Sequence, residues 1–240
     1  MKPPAPMRQV RALVFDLDGL LVDSEPIWHR VRSAYAAARG VSWTDDDRRA
    51  VLGGDSRLWM TRLHERIGAQ LGLAAIECEV EQGVAEAYPS QLRPMPGAQA
   101  LLTRLSGQIP LALATGSRRR IAELALRLSG FEHAFDVVCC ADDVTRGKPF
   151  PDLYELALKR LDVMPRDAVG VEDSSHGVRA LSAAGLGVIA VPGGEGLEAA
   201  ARALVHAQLD DLERIDLALL DQVLKRRDLG NPHDLAAART

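Results

Sequence analysis

The chain has 240 residues, 47% of them hydrophobic, and a formal net charge of −4; that is enough apolar material for one large domain or a core with a smaller companion, and the small net charge argues against nucleic acid or an anionic membrane as a main partner. No apolar run approaches the ~18 residues of a bilayer span, and residues 1–11 are proline-rich without the apolar stretch of a signal peptide. The three cysteines, Cys78, Cys139 and Cys140, are odd in number and unpatterned, so they read as reduced thiols in a cytoplasmic protein, with a monomer favoured because no interface pattern stands out.

In chain order, the first apolar run is 11–15. From Pro26 to Pro89 the patterns are helical only. Ile27, Val31, Ala34, Tyr35 and Ala38 share one helix face, and Gly40 stops it. Thr44 is placed to cap a second helix whose first turn holds Asp45, Asp46 and Asp47. Gly53-Gly54 breaks the chain, further helical patterns follow, and Arg93-Pro94-Met95-Pro96-Gly97 reads as a return linker. Apolar runs at 109–114, 135–139, 168–171 and 187–191 then alternate with helical stripes. These stripes are Ile121, Leu124, Ala125 and Leu128; Leu153, Leu156, Ala157 and Leu161; and Val178, Leu181 and Ala184, the last capped by Gly185. Such alternation predicts an α/β fold, a parallel sheet with crossover helices, interrupted after its first strand by a small helical domain. The predicted boundaries are 9–25 and 90–227 for the core, 26–89 for the insertion, and 228–240 for a flexible tail.

Ligands of open α/β sheets bind beyond the carboxyl ends of the strands, and four of the apolar runs end in polar clusters. The first ends in Phe15-Asp16-Leu17-Asp18-Gly19. Two acids two residues apart reach the same side of an extended chain. A Mg2+ ion would relieve their repulsion, Asp16 would attack phosphorus, and Asp18 would serve as general acid and base. The second ends in Thr115-Gly116-Ser117 before a helix, a hydroxyl and free N–H groups suited to phosphate. The third, Gly147-Lys148-Pro149-Phe150-Pro151, holds a lysine in a stiff loop. The fourth, Val171-Glu172-Asp173-Ser174, adds acids facing Asp16. Singly, each has a plainer reading: turn acids, a helix cap, a surface lysine, a second cap. Their shared position at strand ends favours phosphoryl transfer.

These residues resemble the four motifs of the haloacid dehalogenase superfamily, in the branch with a helical cap after the first motif. Asp16-Leu17-Asp18-Gly19, Thr115-Gly116-Ser117, Gly147-Lys148-Pro149 and Glu172-Asp173-Ser174 match in order, over about residues 11–220. The resemblance implies a doubly wound, Rossmann-like core, an obligate Mg2+ and an aspartyl-phosphate. It makes Asp16 nucleophile and metal ligand, and Asp18 the acid/base residue that binds metal through its carbonyl. Thr115, Gly116, Ser117 and Lys148 hold the phosphate, and Glu172 and Asp173 complete the metal site. It implies a phosphatase of small phosphate esters, sugar phosphates foremost. The alternatives are a β-phosphoglucomutase-type transferase and a non-catalytic ligand-binding protein on the same fold. Mutases carry a histidine where this chain has Trp28, with His29 one step further on. Arg57 falls where mutases place an arginine for the substrate phosphate. His176 reads as a structural residue, and Trp43 and Trp59 read as insertion core with the pocket wall as their alternative.

Overall fold

The structure, a computed structural model, describes residues 10–68 and 71–229; residue 9 of the predicted core and the predicted tail from 230 onward lie outside these. Among the described residues six strands form one parallel sheet: β1 (Ala12–Phe15), β2 (Leu111–Ala114), β3 (Val137–Cys139), β4 (Ala168–Glu172), β5 (Gly187–Ala190) and β6 (Ala207–Gln208). Their order is β3-β2-β1-β4-β5-β6, so the chain winds outward from β1 to one edge and then returns to β1's other side. Five of the six coincide with the predicted runs. The sixth is two residues long at an edge, too short to register as an apolar pattern.

Strand alternation sorts side chains onto two faces. Leu13, Phe15, Leu111, Leu113, Val169, Val171 and Ile189 lie on one face. It packs against α5 (Ala98–Leu105), α6 (Arg119–Ser129) and α10 (Leu217–Asp228). The other face is built of smaller residues, including Ala12, Ala112, Ala114, Ala168 and Ala190. These let α7 (Asp152–Leu161), α8 (Ser175–Ala183) and the short α9 (Ala199–Arg202) pack against it. Two helical stripes are rotated from their predicted positions. In α6 the buried set is Ile121, Ala122, Ala125, Leu126 and Ser129, with Leu128 exposed. In α7 it is Leu153, Tyr154, Ala157 and Leu158. α7 lies on β1, β2 and β3, and α6 packs against the helix Leu73–Gln91, so these partners and not the aliphatic count select the face. Gly185, at φ 80°, follows α8 as expected.

Between β1 and β2 the chain inserts α1 (Glu25–Ala37), α2 (Asp45–Val51), α3 (Ser56–Ile67) and α4 (Leu73–Gln91). Trp28, Trp59, Leu63, Ile76, Val80, Val84 and Tyr88 are buried there. Entry and exit run side by side: Asp23 N–H donates to Arg93 O at 2.9 Å and Met95 N–H to Leu21 O at 2.9 Å. The insertion lies against the loops at the carboxyl ends of the strands. Asp55 accepts from Gly147 N–H at 3.1 Å, and the Arg118 guanidinium donates to Glu77 at 2.6 and 2.8 Å. No described helix is long and apolar enough to cross a membrane.

The predicted cap of α2 is present in full. Asp47 N–H donates to Thr44 Oγ1 at 3.2 Å, and the Asp47 carboxylate accepts from Thr44 N–H and Oγ1 at 2.9 and 2.8 Å. Asp47 also draws in Arg62 at 2.7 Å and Arg66 at 2.8 Å. Burial works to raise its pKa, but hydrogen bonds from Thr44, Arg66 and Arg62 win and hold it well below the usual carboxylate range. Asp47→Ala therefore lowers stability by about 2 kcal/mol at neutral pH. A depressed acid stabilises the fold above its unfolded pKa of about 4, and this is lost as pH falls through the folded value. In denaturant titrations the gap between wild type and Asp47→Ala thus closes on acidification; a gap independent of pH would show that Asp47 acts through packing instead.

Candidate active site

The carboxyl ends of β1, β2 and β4 are neighbours in the sheet, and the strand order reverses between β1 and β4. Such a crevice is where open α/β sheets take ligands. Asp16 follows β1 directly, its N–H extending the ladder to Val171 O at 3.1 Å. Thr115 follows β2, Glu172 ends β4, and Lys148 arrives from the loop beyond β3. All four are buried.

Lys148 Nζ donates to Asp16 Oδ1 and to Glu172 Oε1, the latter at 2.6 Å. Glu172 is enclosed by donors. Its Oε1 also accepts from Tyr154 OH at 2.7 Å, and its Oε2 from the N–H of Asp173 and Ser174 and from Ser174 Oγ at 3.0 to 3.1 Å. Gly177 makes room for this, since a Cβ there would sit 1.7 Å from Glu172 Oε1. Asp173 is treated differently: it is buried, and its Oδ1 has no hydrogen-bond partner among the described residues. Asp16, Glu172 and Asp173 each bring a carboxylate oxygen within 4.8 Å of the others. A buried all-oxygen donor set with one oxygen unsatisfied fits a hard divalent cation.

The titration behaviour follows these surroundings. Burial, reinforced by Glu172 and Asp18 and opposed by Lys148, pushes the Asp16 carboxyl up to about 8. Burial, with the charges of Glu172 and Asp16, drives Asp173 well above the carboxylate range. Glu172 is also buried, but the charge and hydrogen bonds of Lys148 outweigh burial and hold it low. Lys148 in turn is kept protonated, because Asp16 and Glu172 overcome its desolvation.

Asp18 lies on the hydroxyl side of the site. Its Oδ1 accepts from Ser24 Oγ at 2.7 Å, and its Oδ2 from Thr115 Oγ1 at 3.2 Å and Ser117 Oγ at 2.8 Å. Thr115 Oγ1 also accepts from Ser117 N–H at 3.1 Å. Gly116 touches the insertion: a Cβ there would lie 2.9 Å from Gly54 O. The structure thus brings together Asp16, Asp18, Thr115, Gly116, Ser117, Lys148, Glu172 and Asp173. Arg57 stands apart. It is exposed and lines outer clefts with Asp55, whereas its neighbour Ser56 faces Gly116. His176 bonds Leu52 O through Nδ1 at 3.0 Å, away from the acids.

Beside Asp16 and Asp18 is a small cavity, lined on the insertion side by Glu25, Trp28, Arg32 and Trp59. Glu25 and Arg32 were not among the residues singled out in the sequence. Of the predicted α1 stripe Ile27, Val31, Ala34, Tyr35 and Ala38, Ile27 and Tyr35 are buried, but the rest of the buried face is Trp28, Arg32 and Ala36. The available signal was the i, i+4 step from Trp28 to Arg32.

The family model for haloacid dehalogenase-like hydrolases matches residues 10–185. A phosphorylated carbohydrates phosphatase of Thermotoga maritima is 35% identical over 178 residues, 74% of this chain and 82% of that protein. Among solved structures, CbbY from Rhodobacter sphaeroides in complex with phosphate is 30% identical with a TM-score of 0.79, covering 88% of this chain and 99% of that one. A putative β-phosphoglucomutase from Thermotoga maritima is 32% identical with a TM-score of 0.68, covering 89% and 99%. With the motif residues assembled at the strand ends and the family model spanning most of the chain, the protein belongs to the haloacid dehalogenase-like hydrolases.

Proposed function

We propose that this chain is a Mg2+-dependent phosphatase of small phosphate esters, sugar phosphates foremost, acting through an aspartyl-phosphate on Asp16. The observation that carries this reading is the contrast between two acids two residues apart. Asp16 sits against Lys148 and the acid cluster, while Asp18 sits among three hydroxyls. One is placed for nucleophilic attack beside a cation, the other for moving protons. The identity to a phosphatase of phosphorylated carbohydrates supports the substrate class.

Asp16 and Asp173, with the Asp18 carbonyl, would hold the metal, and Glu172, whose oxygens are already met by donors, would add its charge beside them; when bound, the metal offsets phosphate charge and polarises its oxygens. The Asp16 carboxylate attacks phosphorus as the bond to the ester oxygen breaks, and Asp18 delivers a proton to that oxygen. Asp18 then takes a proton from a water that attacks the aspartyl-phosphate, releasing phosphate and restoring Asp16. Thr115, the Gly116 N–H, Ser117 and Lys148 steady the phosphoryl oxygens. At an effective dielectric of ~20 and ~4 Å, a lysine charge offsets about 4 kcal/mol of repulsion between carboxylate and phosphate. The proposed domains are the core, 9–25 and 90–227, and a cap, 26–89. In this reading the cap parts from the core to load substrate and closes over the site to exclude water. Three unpaired thiols suit a reducing, cytoplasmic setting.

A mutase reading is favoured by the likeness to a putative β-phosphoglucomutase. Against it, position 28 holds a tryptophan whose Nε1 is committed to Tyr88 OH at 3.0 Å, so it offers no base there.

Phosphate release from a panel of sugar phosphates is expected with Mg2+ and not with EDTA, and Asp16→Asn lowers kcat by roughly 10⁴-fold or more. Wild-type turnover in that variant would remove Asp16 as nucleophile. Isomerisation of β-glucose 1-phosphate without phosphate release would favour the mutase. A second expectation concerns stability. Acids with raised folded pKa bind protons that the unfolded chain has already lost, so stability falls as pH rises. The metal-free protein should therefore lose thermal stability from pH 5 to 8 through Asp16 and Asp173, and Mg2+ should abolish that loss. A slope of the same size with and without Mg2+ would place the cation elsewhere.

A further inference from the structure

Arg32 takes no part in the chemistry above, yet it lines the same cavity as Asp16 and Asp18. It is 5% exposed. Its Nε is buried without a hydrogen-bond partner among the described residues. Two tryptophan rings flank its guanidinium, whose central carbon lies 4.8 Å from the Trp28 ring centroid and 5.2 Å from that of Trp59, and Glu25 and Asp18 are the negative charges that act on it. Glu25 lines this cavity too, and its Oε2 is likewise buried and unpartnered. Folded proteins rarely leave a buried donor and a buried acceptor both unmet, and stacking on two rings does not satisfy N–H groups. The Trp28 indole is itself fixed by Tyr88, which holds the rings in place.

The chemistry of the missing partner can be read from the pair. Arginine only donates and a carboxylate only accepts. A hydroxyl does both, so neighbouring hydroxyls satisfy Arg32 and Glu25 together, while carbon–hydrogen faces lie on the tryptophan rings. A second anion would satisfy Arg32 but would meet Glu25, Asp18 and Asp16. We infer that Arg32 and Glu25 form a specificity subsite for the leaving alcohol, selecting phosphomonoesters of uncharged polyols and sugars over esters whose alcohol carries a carboxylate or a second phosphate. This rests on the phosphatase reading.

The test compares kcat/KM for a hexitol phosphate, n-butyl phosphate and phosphoglycolate in wild type, Arg32→Gln and Glu25→Gln, with Arg32→Lys retaining charge and bulk should Arg32→Gln fail to fold. The wild type should prefer the hexitol ester, and each substitution should shrink its preference over butyl phosphate by about tenfold or more. Equal losses on both esters, leaving the ratio intact, would make Arg32 a packing residue and overturn the inference. A wild-type preference for phosphoglycolate that depends on Arg32 would overturn it in favour of an anion subsite. If the wild type hydrolyses none of the three, the phosphatase reading itself fails. The subsite is then read from thermal shifts with the hexitol phosphate: a larger shift in wild type than in Arg32→Gln supports it, and equal shifts overturn it.

Discussion

Three carboxylates are crowded at one end of a parallel sheet with a single lysine among them, and their mutual repulsion governs the site. Asp16, Glu172 and Asp173 are all buried, and buried like charges cannot all stay ionised without compensation. The fold compensates one of them completely: Glu172 takes Lys148, Tyr154, two backbone N–H groups and a serine hydroxyl. It leaves Asp16 and Asp173 under-compensated. That asymmetry requires Gly177 to let α8 approach Glu172 and requires β1 and β4 to be neighbours, so topology and local sequence serve the same electrostatic end.

The insertion adds a second constraint. Several of its links to the strand-end loops are polar, such as Asp55 to Gly147 and Arg118 to Glu77, and Arg118 reaches Asp142 as well. Contacts of this kind suit a lid that parts and closes repeatedly. Under the proposed opening and closing of the cap, the paired backbone at Leu21–Asp23 and Arg93–Met95 would keep entry and exit together.

Much of this was legible in the chain. β1, β2, β4 and β5 are buried throughout, so they appear as continuous apolar runs, and the polar residues that interrupt them mark the strand ends. The catalytic candidates therefore fell at the strand ends. What was not legible depends on which face of a helix is turned inward. The stripe of α1 was read as Ile27, Val31, Ala34, Tyr35 and Ala38, whereas packing against α3 and α4 also buries Trp28 and Arg32. An arginine counts as polar in any periodicity, so a buried one shifts the inferred face. Arg57 shows the same limit: it follows Ser56, which faces Gly116, and one step on a helix turns a side chain by roughly 100°.

The dipeptide Glu172-Asp173 makes the final point. The two residues differ by one methylene and adjoin in sequence, yet their pKa values move in opposite directions. Glu172 reaches back beneath the N-terminus of α8 and is clamped to Lys148; Asp173 projects into the acid cluster with an oxygen to spare. A cation entering under the proposed chemistry would therefore displace protons from Asp16 and Asp173, and it need not break the Lys148–Glu172 pair. Lys148 would then keep its position while the charge around it changes, as a residue must if it is to meet the phosphate in the same place on every turnover.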